Sequence, residues 1–326
     1  MTVVVFGLGG TIAMAASEDG GVAPALRAEK VVAAVPGLAG TGITVEVTDF
    51  RQLPGAAVTF ADLFALEVAI RERLAGGADG VVVTQGTDTI EESAYLLDLG
   101  HATSQPVVVT GAMRNPTLAG ADGPGNLLAA VQVAAAPQAA GLGALVVFAD
   151  EVHAASRVRK THSTSGFTFQ SPNGGPLGYV VEGRPRLLNR LPRRTTVPTP
   201  ASTRPVEVGV VTLVLDDTGV LLHGLADRLD GLIVAGFGAG HAPAGIVPRL
   251  EELATRMPVV LASRTGAGSV LAGTYGFPGS ESDLLSRGLI SAGFLDPLKA
   301  RILLHRLLAA GQDHTAIRAV FDSAGG

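Results

Sequence analysis

Cysteine is absent from the 326 residues of this chain. The absence excludes disulfide frameworks, thiolate metal sites and cysteine nucleophiles, so covalent chemistry would have to use serine, threonine, lysine or a carboxylate. The seven histidines show no metal-ligand spacing, and no metal site is expected. Aromatic residues contribute 4% of the chain, with no tryptophan and three tyrosines, which predicts a core of small aliphatic side chains.

Charge is also scarce, since only 16% of the residues are charged and the formal net charge is −5. This balance excludes a phosphate backbone or an anionic membrane as an obvious partner, so neither nucleic acid nor membrane binding is expected. No apolar run approaches the roughly 18 residues that span a bilayer. The first apolar segment follows no positively charged leader, and a cytoplasmic protein is therefore expected.

What the chain does have is a series of short, valine-rich apolar runs separated by helical patterns. Continuous apolar strands of this kind are typical of a parallel sheet covered on both faces. The predicted strands are residues 2–6, 80–84, 107–110, 144–148, 208–214, 232–235 and 259–262. The predicted helices are residues 60–74, 91–99, 126–136, 247–256 and one from the Asp296 cap through Pro297 to Gly311. This alternation of strand and helix indicates an α/β protein.

A composition shift near the middle of the chain divides it into two domains. Residues 178–181 and 186–188 flank a Glu-Gly-Arg-Pro turn and predict a β-hairpin. The next segment, 191–205, contains four prolines and predicts an extended linker. We therefore expect a larger N-terminal parallel-sheet domain with a hairpin (1–190) and a smaller C-terminal α/β domain (206–326).

The segment TQGTDTIEE (84–92) reads as a strand end, a tight turn and the start of an acidic helix. Its structural interpretation is a capping box, formed by Thr89 with Glu92 or by Asp88 with Glu91. Acidic side chains at that position also suit the positive end of a helix. One cap would be enough, so the remaining polar groups of the turn are open to another role.

The open role is chemistry at the carboxyl edge of the sheet, where ligands of parallel sheets bind. Thr87 and Asp88 lie there beside backbone N–H groups that can hold an oxyanion. The basic segment RVRKTH (157–162) is a candidate source of the base that a threonine nucleophile needs. A second threonine, Thr11, follows the first strand in GLGGTIA (7–13), which lacks the last position of a dinucleotide-binding fingerprint.

These segments, in this order and spacing, resemble the bacterial-type L-asparaginases nearly from end to end. The matching segments are GGTIA (9–13), QGTDTIEE (85–92), GAMR (111–114), ADGP (121–124) with Asn126, SPN (171–173), GPLGY (175–179), and DP (296–297) with KAR (299–301). The resemblance implies hydrolysis of the side-chain amide of asparagine, and to varying degrees of glutamine, without a metal or organic cofactor. It also implies a homotetramer built as a dimer of intimate dimers.

The resemblance implies roles for individual residues. Thr11 matches the nucleophile that forms an acyl-enzyme. The second catalytic group matches Thr87, Asp88 and Lys160. The substrate-binding positions match Arg51, Gln52, Gly86, Ala112 and Glu281, the last contributed by a neighbouring subunit.

The chain departs from the family in the segment around Val22. The family's tyrosine, which activates the first threonine, is replaced there by Val22 or a near neighbour, and no tyrosine precedes Tyr95. One hypothesis is that Tyr275 from a partner subunit replaces the missing phenol, the alternative being that it is an ordinary loop aromatic. Another is that the loop containing the Gly20-Gly21 pair orders only when substrate binds.

Arg51 is a second departure, because it stands where the family has a serine. Its guanidinium either pairs with a substrate carboxylate or turns outward into solvent. Ala239 and His241 also stand where the family often has asparagines. Two alternative functions stay open: an amidase or glutaminase acting on a related carboxylate-bearing amide, and a catalytically weakened small-molecule-binding protein.

Overall fold

The computed structural model describes residues 1–16, 22–24, 26–199 and 205–325, with backbone alone for 16 and 22–24. It consists of two compact units, Met1–Arg193 and Arg194–Gly326. Both are α/β, which confirms the predicted two-domain α/β fold. The linker at 191–205 stays a prediction, because part of it lies outside the described residues. No helix in the described residues is long and apolar enough to cross a membrane.

Within the described residues, the first unit is built on an eight-stranded sheet of order β12-β11-β8-β7-β6-β5-β1-β4. Its five strands from β7 to β4 are parallel, and the other three are antiparallel to their neighbours. The strands of this unit are β1 (Thr2–Gly9), β2 (Met14–Ala16), β3 (Val22–Pro24), β4 (Thr44–Leu53), β5 (Gly80–Thr84), β6 (Val107–Thr110), β7 (Ala144–Phe148), β8 (Glu151–Ala154), β9 (Arg159–Lys160), β10 (Phe169–Gln170), β11 (Gly178–Val181) and β12 (Arg184–Leu187).

The α-helices that accompany this sheet in the described part of the unit are α1 (Ala28–Ala33), α2 (Phe60–Ala75), α3 (Ile90–Gly100) and α4 (Gly123–Ala134). The strands predicted at 80–84, 107–110 and 144–148 have those bounds, and every residue in them is buried. Strands covered on both faces must be apolar throughout, which is why their sequences were informative. Helix α2 begins with a full capping box between Thr59 and Asp62.

Two parts of the sheet differ from the sequence expectation. Strand β4 was not predicted, because it lies at the sheet edge and alternates polar with half-buried apolar residues instead of forming a continuous apolar run.

The predicted hairpin exists, but β12 begins at Arg184 and not at 186. Its turn has only two residues, Glu182 (φ 51°) and Gly183 (φ 72°), whose left-handed backbones match the twist of the strands. Pro185 is tolerated because β12 is an edge strand.

The second unit contains a parallel sheet of order β13-β14-β15-β16 in its described residues. Its strands are β13 (Val208–Thr212), β14 (Gly231–Gly236), β15 (Val259–Ser263) and β16 (Ile290–Ser291), and its helices are α5 (Val247–Arg256), α6 (Glu281–Ser286), α7 (Pro297–Ala309) and α8 (His314–Ala324). The predicted Asp296 cap is confirmed, since its carboxylate accepts from the backbone N–H groups of Leu298 and Lys299. Helices α6 and α8 were not predicted.

A buried polar cluster on β8 belongs to the scaffold of the first unit. His153 is fully buried, with Nδ1 3.0 Å from the Ser171 hydroxyl and Nε2 3.2 Å from a Glu151 carboxylate oxygen. Glu151 and His153 meet because alternate residues of a strand share one face. Burial lowers the pKa of His153 to about 4 and raises the pKa of Glu151.

We expect the stability of the protein to fall on acidification because of His153. Its pKa is about 4 in the folded state against 6.5 in the unfolded chain, so the unfolded chain binds the proton more tightly between those values. The stabilising contribution is therefore complete above pH 6.5 and lost as the pH falls through about 4, amounting to about 3 kcal/mol. Glu151 contributes with the opposite sign.

Urea unfolding of wild type and His153→Gln between pH 4 and 7 measures this contribution. The glutamine variant should lose part of the acid-induced decline, because its side chain carries no charge, while His305, whose pKa burial also lowers to about 4, keeps its own contribution. His223→Gln, at an exposed histidine, is the control that should leave the decline intact. Parallel curves for wild type and His153→Gln would contradict the prediction.

Candidate active site

Three loops of the first unit meet at the carboxyl edge of the parallel sheet through a contact between glycine backbones. A Cβ placed on Gly10 would lie 2.1 Å from the Gly86 nitrogen, and one placed on Gly55 would lie 2.9 Å from the Gly86 oxygen. We call Gly10, Gly55 and Gly86 the glycine contact. Gly10 also has φ 83°, a left-handed conformation that favours glycine. The contact brings together the loops that carry Thr11 and Thr87 and the end of β4, which carries Gln52.

Thr87, Lys160 and Asp88 form a continuous chain of hydrogen bonds at this edge. The Lys160 ammonium donates to the Thr87 hydroxyl oxygen at 3.0 Å and to an Asp88 carboxylate oxygen at 2.9 Å. Thr87 is buried in the turn before α3, and Lys160 reaches it from β9. The Asp88 side chain is 62% exposed, which leaves its carboxylate open to a ligand.

Thr11 and Ala112 lie on the loops after β1 and β6. Thr11 is half-buried at the start of a single 3-10 turn, and no described residue forms a hydrogen bond with its hydroxyl. Ala112 is fully buried. Gly123, the first residue of α4, packs against both loops, since its Cβ position lies 2.8 Å from Ile12 and 3.3 Å from the Ala112 Cβ. The start of α4 therefore holds the two loops together.

Arg51 and Gln52 lie near the end of β4 and line a cavity of about 300 Å³ in the first unit. The other lining residues are Gly7, Gly9, Ala13, Leu26, Arg27, Ala28, Val31, Asp49 and Thr84. Thr11, Thr87 and Lys160 are not among them. The cavity is thus lined by the substrate-binding candidates Arg51 and Gln52, while the candidate catalytic threonines Thr11 and Thr87 lie on neighbouring loops.

The Arg51 guanidinium has a partner in this structure. Its Nε lies 3.0 Å from an Asp62 carboxylate oxygen, the side chain is 44% exposed, and the charge lies 4.7 Å from the centre of the Phe50 ring. The Thr59 hydroxyl, and with it Arg51, lowers the pKa of Asp62 against the opposing effect of burial. Asp62 is therefore a stable counter-ion, and substrate binding by Arg51 stays a prediction.

The predicted capping box at α3 is wrong with respect to Thr89. Its side chain forms no cap hydrogen bond; the hydroxyl donates to the Gly55 carbonyl at 2.9 Å and accepts from the Gln85 amide nitrogen at 3.2 Å. Gln85 also donates to the Ser93 hydroxyl at 3.1 Å. These tertiary partners replace the local one.

Asp122 and Asn126 support the loop after β6, a role that sequence reasoning missed. The Asp122 carboxylate accepts from the backbone N–H groups of Met113 and Arg114. The Asn126 amide nitrogen donates to Asp122 and to the Gly111 carbonyl, and its oxygen accepts from the Ala149 N–H. An asparagine on the apolar, buried face of a helix was the signal available, because such groups need partners.

In the second unit, Glu281 is buried at the first position of α6. One carboxylate oxygen accepts from the backbone N–H groups of Thr274 and Tyr275, and the other lies 3.3 Å from His241 Nε2. Burial raises the pKa of Glu281, but these N–H groups and His241 outweigh it, and the net shift is downward. The His241 ring packs edge-on against the rings of Tyr275 and Phe277.

The predicted departure at Val22 involves side chains outside the described residues. The backbone at Val22 pairs with Ala16 between β3 and β2, and the Gly20-Gly21 pair is likewise outside the described part of the chain. In the described ranges, no three His, Asp or Glu side chains are grouped so as to hold a metal ion.

Comparison with known proteins agrees with this geometry. Family models named "Asparaginase, N-terminal" and "Glutaminase/Asparaginase C-terminal domain" match residues 2–193 and 207–321. The chain belongs to the asparaginase family.

Among its relatives, a probable L-asparaginase of Deinococcus radiodurans is 40% identical over 96% of this chain and 94% of that protein. L-asparaginase 2 of Escherichia coli is 37% identical over 75% of this chain and 70% of its own length. The crystal structure of a probable cytoplasmic L-asparaginase from Campylobacter jejuni matches with a TM-score of 0.87 at 33% identity, covering 98% of each chain.

The glycine contact of this asparaginase-family chain predicts a severe effect of Gly10→Ala. The new methyl group would overlap Gly86 and would also strain a left-handed backbone. Gly37→Ala is the control for a left-handed backbone alone, because Gly37 has φ 79° and ψ −9° with open space around its Cβ position. Alanine there should cost about 1–2 kcal/mol. Gly10 has ψ −172°, a conformation essentially restricted to glycine, so Gly10→Ala should lose more from the backbone and about a further 1–3 kcal/mol from the overlap. Equal losses of unfolding free energy in denaturant titrations would contradict the prediction.

Proposed function

We propose that this protein hydrolyses the side-chain amide of L-asparagine to L-aspartate and ammonia through a threonine nucleophile. The observation that carries the proposal is the Lys160 ammonium shared between the Thr87 hydroxyl and the Asp88 carboxylate. A hydroxyl, an amine and a carboxylate within hydrogen-bond reach are the parts that acyl transfer needs. Membership of the asparaginase family and relatives named L-asparaginase support the choice of substrate.

The reaction would run through an ester of Thr11. The Thr11 oxygen attacks the amide carbon, the carbon–nitrogen bond breaks, and the nitrogen leaves as ammonia with the proton that the hydroxyl gave up. Water then attacks the ester, releasing L-aspartate and restoring the hydroxyl. Lys160 would hold the Thr87 hydroxyl in position for proton transfer during the reaction, and Asp88 would be the counter-ion of the lysine.

The remaining site residues would bind the substrate. Asp88, with its exposed carboxylate, would hold the α-ammonium group, and Gln52 and Arg51 would contact the α-carboxylate from the cavity side. Gly86 and Ala112 would contribute backbone groups to the amide. The groups would then surround all three polar ends of asparagine.

We also propose a cytoplasmic homotetramer, a dimer of intimate dimers in which Glu281 completes a neighbouring subunit's site. Glu281 is held rigidly by backbone N–H groups and His241, as a positioned carboxylate should be. Tyr275 adjoins it and remains the candidate replacement for the missing phenol. The cytoplasmic location is supported by the named Campylobacter jejuni relative. Light scattering of the whole chain measures the assembly.

Ammonia release from L-asparagine tests the reaction. Thr11→Ala, Thr87→Ala and Lys160→Met should each lower kcat about 1000-fold or more, because each removes a group that acts only during reaction. Thr255→Ala, at an exposed threonine of α5, should leave kcat unchanged. Full activity in Thr11→Ala with none in Thr87→Ala would exchange the two threonine roles. Aspartate binding with no turnover of any amide would instead identify a binding protein.

Arg51 is the observation that favours the second candidate, hydrolysis of glutamine or a related carboxylate-bearing amide. If Arg51 leaves Asp62 to bind the α-carboxylate, Arg51→Ser should raise KM for L-asparagine about threefold to tenfold with kcat unchanged. Arg256→Ser, which breaks an exposed ion pair with Asp227, is the control. An unchanged KM would show that Arg51 stays with Asp62. Preference of wild type for glutamine over asparagine would support the second candidate.

A further inference from the structure

We infer that Thr89 is a positioning residue, whose hydroxyl aligns the end of β4, which carries Gln52, with the loop of Thr87 in the active site. The inference rests on the proposed function, because it assigns Gln52 and Thr87 to one substrate. The Thr89 hydroxyl is bonded to Gly55 and Gln85, and the inference assigns it no contact with the substrate.

The first support is the pair of hydrogen bonds that the Thr89 hydroxyl makes. Its O–H group donates to the Gly55 carbonyl at 2.9 Å, across 34 residues of sequence, and its oxygen accepts from the Gln85 amide nitrogen at 3.2 Å. Gln85 is fully buried and is anchored in turn on Ser93 of α3. The hydroxyl therefore joins the segment after β4 to a rigid part of the core.

The second support is the place where the two segments meet. Gly55 and Gly86 touch through their backbones alone, with carbonyl and amide atoms too close to admit a Cβ. Glycines have no side chains that could interdigitate and resist sliding. A directional hydrogen bond beside such a contact determines the register of the two backbones, and Thr89 supplies one.

The third support is the local interaction that Thr89 forgoes. It is the N-cap residue of α3, where a threonine hydroxyl normally accepts a hydrogen bond from a backbone N–H of the helix. Here the side chain makes no such bond. The hydroxyl is committed to Gly55 and Gln85 instead, so its proton is not available for nucleophilic chemistry at Thr89.

The Thr89 hydrogen bonds would affect the distance between two sets of residues that are proposed to act on the substrate. Gln52 and Arg51 lie a few residues before Gly55, and Thr87 and Asp88 directly precede Thr89. A shift at the glycine contact would move the two sets relative to each other. A displacement of about 1 Å between substrate and reacting groups can cost about 100-fold in rate.

The test is the full-length Thr89→Val variant, which keeps the shape of the side chain but removes both hydrogen bonds. We expect kcat/KM for L-asparagine to fall about tenfold or more, and the Kd of the product L-aspartate, measured by calorimetry, to rise about tenfold. Thr89→Ser keeps the hydroxyl and should recover both constants to within about threefold of wild type.

Thr41→Val is the matched control. The Thr41 hydroxyl also donates to a backbone carbonyl, that of Leu38, and accepts one hydrogen bond, from the Ile43 N–H, but both partners belong to its own turn. Its loss should lower the thermal midpoint while leaving kcat/KM and the aspartate Kd at wild-type values. A general loss of stability would thus be separated from misalignment.

The outcomes distinguish this inference from the proposed function. Wild-type constants in Thr89→Val, or equal impairment in Thr89→Val and Thr89→Ser, would overturn the inference while the wild-type reaction stood. If the wild-type chain released no ammonia, the proposed function would fail, and the aspartate Kd of the variants would still decide the role of Thr89. Weaker binding in Thr89→Val with recovery in Thr89→Ser would support it.

Discussion

The candidate active site depends on the close approach of three loop backbones at Gly10, Gly55 and Gly86. Only glycine permits these distances, since a methyl group at Gly10 would overlap the Gly86 nitrogen. Because parallel strands end at a common edge, the contact gathers the hydroxyl and amide groups of separate segments there. The chain contains 43 glycines and few aromatic residues. This composition suits the candidate site, because close backbone packing needs small side chains.

Lys160 supplies the main electrostatic interaction of the candidate site. Its ammonium comes from a position 73 residues beyond Thr87 and lies between a hydroxyl and a carboxylate. The lysine side chain is 15% exposed, so its interactions are less screened than those of a surface pair. Arg51 illustrates the contrast, because its half-exposed charge is satisfied by Asp62 on the neighbouring helix. The Lys160 ammonium therefore lies within the candidate site, and the Arg51 guanidinium lies at its edge.

Much of the fold was predictable, and two of the failures have related causes. The central strands are buried on both faces, so their residues must be apolar, and a continuous run reveals them. Strand β4 was missed because an edge strand alternates polar with apolar residues. Its pairing with β1 forms only in the tertiary structure. The cap at Thr89 failed for a related reason: a threonine hydroxyl suits a local partner and a distant one equally well. Local pattern does not choose between them.

The sequence by itself determined the chemistry that is available: two threonine loops, one lysine in a basic segment, no thiol, and an α/β frame with its loops at a sheet edge. These follow from residue type and from strand and helix periodicity, which are local properties. Only the tertiary structure decided which groups meet, namely Lys160 with Thr87 and Asp88, Arg51 with Asp62, and Thr89 with Gly55. The physical reason is that hydrogen bonds and ion pairs form between groups brought together by sheet register and backbone packing, which separation along the chain does not specify.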